Sequence, residues 1–395
     1  MQSKMQFTSE NIKLLNRLLT LQHIYKSRYD GISQSEVSKK MNISEPSVFR
    51  NFTRLEELGL IKIKLEEKPV VLAKGRRPTK YCVVEDYMYT IGAEITTKGV
   101  ALSLFNFIQD IIDSKTVLIE LDKYDADGLT DLIISLCNEL LDKNNIPRDK
   151  FFGVGLAGPG KIDIENGVIL RYERIKGMQD FPIAAKLKEA LNCEVRITNY
   201  AIAQAHYAQA SDPKYGDSVY AIILRHDINA SYVKNGKPYV DSKGYTFDMG
   251  HLVLAPNGPL CSCGEKGCLQ QYIYTIEDEY NPDILMNLEK LLTTDLTRLD
   301  YITTKLADYI IVLYKNFGRL LNPDTFLILA KDQAIANIIK TKLDKYFDEN
   351  VPRFGGDKRK PLFAEEYKVE HSHRAVNELL LTKLFRDPKN KLFTN

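Results

Sequence analysis

Three of the chain's six cysteines stand within ten residues, in the stretch PLCSCGEKGC from Pro259 to Cys268. A disulfide fits this spacing poorly, because Cys261 and Cys263 are too close in sequence to bridge easily. Cys82, Cys137 and Cys193 are scattered and read as ordinary buried residues. The opening MQSKMQFTSENIKLL lacks the basic-then-apolar order of a secretory signal. No apolar run approaches the roughly 20 residues of a membrane helix. The expectation is a cytoplasmic protein with no membrane partner, in which clustered thiols point to metal. Three thiolates leave one corner of a tetrahedral zinc site open, and His251, ten residues before Cys261, supplies a nitrogen for it. His251, Cys261, Cys263 and Cys268 are therefore expected to hold one structural zinc. Four protein ligands leave no open position for catalysis, and Gly264 and Gly267 let the backbone fold tightly around the ion. The alternative is a reduced, metal-free turn beside a core histidine.

Such a loop needs a scaffold. With 395 residues, 44% of them hydrophobic, the chain is long enough for two or three domains. The net charge of +2 hides an asymmetry. Residues 1–84 hold 16 Lys and Arg against 8 Asp and Glu, a balance of +8, which leaves −6 on residues 85–395. A basic front on an acidic body suggests that the front alone meets a polyanion.

The front has the pattern of a winged helix-turn-helix DNA-binding domain, expected over 1–84. Residues 9–27 have helical apolar periodicity. Ser33 caps a short helix carrying Val37 and Met41, and MNIS turns the chain. Ser44 caps a second helix with Pro46 in its first turn and an inner stripe of Val48, Phe52, Leu55 and Leu58. Gly59 ends it, and LIKIKLEEKPVVLAKGRRPTKYCVV reads as a two-stranded wing. The second helix would enter the major groove by its N-terminal end, bringing Ser44, Glu45, Ser47, Arg50 and Asn51 to base edges or phosphates, with Arg54 on the backbone. The KGRRP arm sets Lys74, Arg76 and Arg77 beside a stiffening proline, suited to phosphates or a minor groove. A winged helix used only for protein contact is the plainer reading.

Beyond residue 88 strands and helices alternate. YTIGAEITTKGVALSLFNF reads as a hairpin, ADGLTDLIISLCNELLDKN as a helix and FFGVGLAGPGKID as a buried strand ending in a glycine-proline loop. CEVRITN is a strand and AIAQAHYAQA a helix of small residues. SVYAIILRHD and NASYVKNGKPYV pair through an Asn-Gly turn, and TFLILAKD is a late strand between long helices. The order implies two α/β lobes with a cleft between them.

These residues resemble a family. GHLVLAPNGPLCSCGEKGCLQQY is similar to the zinc signature of the ROK family of repressors, open reading frames and sugar kinases. GVGLAGPGKIDIENGVI, which contains Lys161, resembles its sugar loop. LNCEVRITNYAIAQAHYA resembles its catalytic segment and LLNPDTFLIL its late strand, so the resemblance covers roughly 88–385. A winged helix followed by GRRP and such a body is the layout of that family's xylose- and N-acetylglucosamine-type repressors. The resemblance implies a two-lobed sugar-kinase/actin-like α/β body over 85–395, with its zinc loop at 251–268.

Departures from the family's kinases bear on activity. In AEITTKG, Glu94 replaces the phosphate-loop Asp, and Thr96 and Thr97 replace both glycines. RHDINAS has no glycine where a second phosphate loop is expected, and LAKDQA none where a third is. Tyr200 follows Asn199 where the general base should be an Asp. Of the residues that would hold a sugar, Asn199 and His251 are retained, Asp248 and Gln270 each replace a Glu, and Tyr200 is free to stack on a sugar face or fill space. The expectation is a regulator without kinase activity, most simply a repressor of carbohydrate-use genes. Its partners are an operator duplex, a sugar or sugar-phosphate effector, and a second copy of itself as a homodimer or dimer of dimers. Three alternatives stand beside it: an altered or lost ligand, an active kinase fused to a DNA-binding domain, and a constitutive DNA-binding protein with a silent body. HSHR at His371–Arg374 is either a further metal motif or the start of a surface helix.

Overall fold

In the computed structural model, which describes residues 9–65, 78–350 and 360–385, the front is a three-helix unit closed by a small sheet. Its elements are α1 (Ser9–Lys26), β1 (Ile32–Ser33), α2 (Gln34–Met41), α3 (Glu45–Glu57), β2 (Ile61–Ile63) and β3 (Lys80–Val83). A capping box starts α2: the Ser33 hydroxyl accepts from the Glu36 amide, while the Glu36 carboxylate accepts from the Ser33 amide. Ser44 precedes α3, but its hydroxyl meets that of Ser47 at 3.0 Å and caps no helix N–H. Val48, Phe52 and Leu55 form the buried stripe of α3. β3 pairs antiparallel with both β2 and β1, so the wing strands belong to a three-stranded sheet.

The body is built on two five-stranded sheets of one pattern, the first lobe adding a small three-stranded sheet. The first lobe contains β4 (Tyr89–Thr96), β5 (Gly99–Asn106), β6 (Ile111–Leu118), α4 (Ala126–Lys143), β7 (Phe151–Gly158), β8 (Lys161–Asp163), β9 (Val168–Arg171), β10 (Gln179–Phe181), α5 (Ile183–Leu191) and β11 (Glu194–Asn199). After α6 (Tyr200–Ser211) come β12 (Ser218–Leu224), β13 (Ile228–Lys234), β14 (Lys237–Pro238), α7 (Leu269–Tyr274), α8 (Ile284–Thr294), α9 (Leu296–Leu321), β15 (Thr325–Ala330), α10 (Gln333–Glu349), β16 (Leu362–Glu366) and α11 (Val369–Leu384). In each sheet an antiparallel meander, β4-β5-β6 or β12-β13-β14, is extended by two parallel strands, β7 and β11 or β15 and β16. Parallel neighbours need crossovers, and these are supplied by helices. One expectation needs correction. Asn235 and Gly236, both at positive φ, turn β13 into β14, whereas β12 and β13 are joined by Arg225–Asp227.

Helices α6 and α11 lie between the two sheets. Ala201, Ala203, Ala205 and Ala208 of α6 pack with Val219, Ala221 and Ile223 of β12 and with Ala375 and Val376 of α11. α11 lies against β4 and β7 at backbone distance, because a Cβ on Gly92 or Gly155 would come within 2.5 Å of a carbonyl of α11. The far end of α11 enters the front unit: Leu381, Leu384 and Phe385 share one hydrophobic core with Leu21, Ile24, Tyr25, Phe52 and Leu55, and with Phe107 of the body. Among the described residues no helix is long and apolar enough to cross a membrane.

Candidate functional site

The cysteine loop is built by short pairings. Bridges join Val253 to Cys268 and Leu260 to Lys266, and the Cys261 and Gly267 amides donate to the Glu265 and Pro259 carbonyls. Gly267, at φ +79°, would carry a Cβ only 1.7 Å from the Ala255 carbonyl oxygen, so no side chain fits there. A short 3₁₀ turn, Met249–His251, brings the imidazole up to the loop. His251 Nδ1 lies 3.5 Å from Cys261 Sγ, Cys263 Sγ lies 3.6 Å from Cys268 Sγ, and all four ligand atoms fall within 4.8 Å of one another. Tetrahedral ligands about 2.3 Å from an ion stand about 3.8 Å apart, so the donor set and its spacing fit a metal. Burial, together with the thiols of Cys263 and Cys261, pushes the Cys268 thiol up to about 12, a crowding that a cation at the centre would relieve. His371 and His373 form no second such cluster. On α11, His371 stacks on Tyr207 with centroids 4.0 Å apart, and His373 is buried with Nδ1 2.9 Å from Ser103 Oγ.

Between the lobes, the strand ends that carry glycines in a phosphate cradle carry charged and aromatic side chains here. Glu94 of β4, fully buried, accepts from Arg225 at 2.7 Å and from the Tyr367 hydroxyl at 2.7 Å. The Arg225 guanidinium lies 4.1 Å from the Tyr367 ring centroid and 5.6 Å from that of Tyr200. Burial opposes the charge on Arg225, but Tyr367, Glu94 and Tyr200 outweigh it and hold the guanidinium more firmly protonated. Tyr200, at the start of α6, donates to Asp227 at 2.8 Å; burial first and then the Asp227 charge push its phenol well above the usual range. Ile95, Thr96, Thr97, Pro159, Tyr172, Tyr200 and Arg225–Asp227 line the remaining cavity. Sequence reasoning missed Arg225, Asp227 and Tyr367; the one available signal was a charge directly after the apolar strand AIIL.

Of the expected sugar-contacting residues Tyr200 lines this cavity, and Lys161, Asn199, Asp248, His251 and Gln270 are not among its lining residues. Asn199 caps α6 by accepting from the Ala201 amide and donates to the Gly160 carbonyl, both at 2.8 Å. One amide hydrogen and one lone pair remain available on it. Lys161, beside Gly160, lies over the Tyr245 ring with its Nζ 5.6 Å from the centroid. Asp248 is exposed at the edge of the cleft, with Arg171 3.8 Å away. Desolvation raises its carboxyl, opposed by His251 and Arg171. Gln270 donates to the Tyr274 hydroxyl at 2.7 Å.

On α3, Glu45, Ser44 and Arg50 are exposed and Ser47 is partly exposed, with Arg50 donating to Ser47 Oγ at 3.2 Å. Arg54 pairs with Glu57 at 3.1 Å. Asn51 is not on this surface. It is buried and donates to Thr20 of α1 at 3.0 Å, because its place in the helix repeat falls beside Val48, Phe52 and Leu55. Lys74, Arg76 and Arg77 lie outside the described residues.

Comparison with known proteins agrees with this architecture. Residues 96–280 match the ROK family and residues 20–62 the winged helix-turn-helix DNA-binding family. The xylose repressor of Caldicellulosiruptor bescii is 25% identical over 264 residues, 66% of this chain and 64% of that protein. The chain thus spans somewhat less than two thirds of the length of such curated relatives. The crystal structure of a ROK family transcriptional regulator, a homolog of the E. coli MLC protein, has the same fold, with TM-score 0.73 over 95% of this chain and 100% of that one at 17% identity. The ROK hexokinase of Thermus thermophilus shares the body fold, with TM-score 0.59 over 76% of this chain and 100% of its own at 19% identity. The chain therefore carries a ROK family domain behind a winged helix-turn-helix, the two folded into one molecule.

Proposed function

We propose that the chain is a cytoplasmic transcriptional regulator, a repressor of carbohydrate-use genes that binds a palindromic operator through residues 1–84, responds to a sugar or sugar phosphate through residues 85–395, and phosphorylates nothing. The observation that carries this reading is the Glu94–Arg225 ion pair, which fills strand ends where a kinase of this fold needs bare backbone amides for phosphate, in a chain that also carries a winged helix-turn-helix. Tyr200, with its proton held well above neutral, offers no general base. Lys161, Asn199, Tyr200, Asp248, His251 and Gln270 supply the effector contacts. Zinc on His251, Cys261, Cys263 and Cys268 is structural and fixes the wall that holds His251. Ser44, Glu45, Ser47, Arg50 and Arg54 face DNA, with Lys74, Arg76 and Arg77 on its phosphates. A homodimer, or a dimer of dimers, matches paired half-sites.

The test is direct. The full chain, offered a random-sequence duplex library, should retain palindromic sites. One member of a panel of sugars and sugar phosphates should raise the melting temperature and change affinity for a retained site. The same panel with ATP and magnesium should give no phosphorylated product. Elemental analysis should find one zinc per chain, lost in Cys263→Ser. Phosphorylation by the unmodified protein, or failure to retain any duplex, would overturn the reading.

A further inference from the structure

Charge explains much of the exposed face of α3 but not its middle. Phe49 is 59% exposed, and no other phenylalanine among the described residues is as exposed. It is not part of the front core, which takes Val48, Phe52 and Leu55 from the adjoining face of the helix. Glu45 and Thr53 lie one turn to either side of it, both exposed, and Arg50 is its neighbour. Phe49 is five residues past Ser44, within the first two turns of the helix, the part of a recognition helix that reaches base edges. The surface around it is polar and belongs to the unit with the +8 charge balance, while the body carries −6. This favours a polyanion over a second acidic body as the partner of this face.

We infer that Phe49 reads a thymine in the operator by packing its ring on the base's 5-methyl group. The inference rests on the DNA-binding reading above. Of the four bases only thymine presents a methyl in the major groove, and an aromatic ring against it removes apolar surface from water while accepting no other base equally well. Ser47 and Arg50 beside it supply polar contacts that fix register, and the phenyl ring adds a contact that hydrogen bonding cannot provide.

The probe is a duplex that the full chain retains from a random library, remade with uracil in place of each thymine in turn, which deletes the methyl and nothing else. The unmodified protein should lose about fourfold in affinity at one thymine per half-site, the worth of roughly one buried methyl group. Phe49→Ala should bind the thymine duplex more weakly and no longer distinguish it from the uracil duplex at that position, whereas Phe49→Leu, still apolar, should regain part of the discrimination. The inference is overturned if the unmodified protein is indifferent to uracil at every position, or if Phe49→Ala keeps the whole uracil penalty. Failure to retain any duplex would overturn DNA binding itself, and this inference with it, and is distinguishable from either of those results.

Discussion

Taking Glu94 and Arg225 out of water costs several kcal/mol per ion, and each has its compensation in place. Glu94 is fully buried and its two oxygens take Arg225 and Tyr367; the Arg225 side chain is 12% exposed and lies over the Tyr367 ring. Removing one partner strands the other charge. Arg225→Met should therefore lower the unfolding free energy by about 3–5 kcal/mol, and adding Glu94→Gln should recover most of that loss. Chemical denaturation of the single and double variants decides it; an additive double variant would mean that the pair does not act as a unit. The sequence made the absence of glycines at these strand ends plain, but not what stands there instead. Glu94 and Arg225 are 131 residues apart and stand on different sheets, and only the packing of the two lobes brings the end of β4 to the end of β12. Asn51 is the opposite lesson. Its polar side chain read as a groove contact, yet its position on the helix repeat turns it toward Thr20.

Among the elements, α11 is the one the sequence described least well. HSHR suggested a surface helix start, but the helix lies between the sheets, and His373 is only 3% exposed. The cue was on another segment, since Gly92 and Gly155 are what admit a helix at backbone distance. The edge strand β6 was unread for a simpler reason: IIDSKTVL has two charges and alternates only between half-buried and exposed positions, so its apolar alternation is faint. Strands buried on both faces, β12 and β15 above all, were legible as apolar runs. The burial of His373 carries a pH consequence. Desolvation holds its imidazole down to about 3, against an unfolded value near 6.5. The native core keeps it neutral while the unfolded chain takes up a proton, so stability is complete above pH 6.5 and falls with pH until about pH 3. His373 alone should lower the unfolding free energy by about 2 kcal/mol between pH 8 and pH 5. His206 and His226, also held down by burial, act in the same direction. Urea midpoints of the parent and of His373→Asn at both pH values should differ in their pH dependence by that amount; equal slopes would mean that His373 is protonated in the native state.

At the scale of the whole molecule, the front and the body are not beads on a string. Tyr25 of α1 stacks near Phe107 and Phe385, donates to Glu378 at 2.9 Å, and is followed by Arg28, which bonds both Glu378 and the Ile108 carbonyl. Burying this shared face removes apolar surface that either part alone would expose. Calorimetry of the full chain should accordingly show the front melting together with the lobe that carries α11, and Tyr25→Ala should lower that transition; a separate, unshifted melt of the front would mean that the shared core is not binding the two. On the proposed function, the same face sets the terms for redirecting this protein to a different DNA sequence. Exchanging residues 1–84 wholesale would leave Phe107, Leu381, Leu384 and Phe385 facing a stranger. The transplantable unit is much smaller: the outer positions of α3, Glu45, Ser47, Phe49, Arg50 and Thr53, can be rewritten while Thr20, Asn51 and the inner stripe stay as they are.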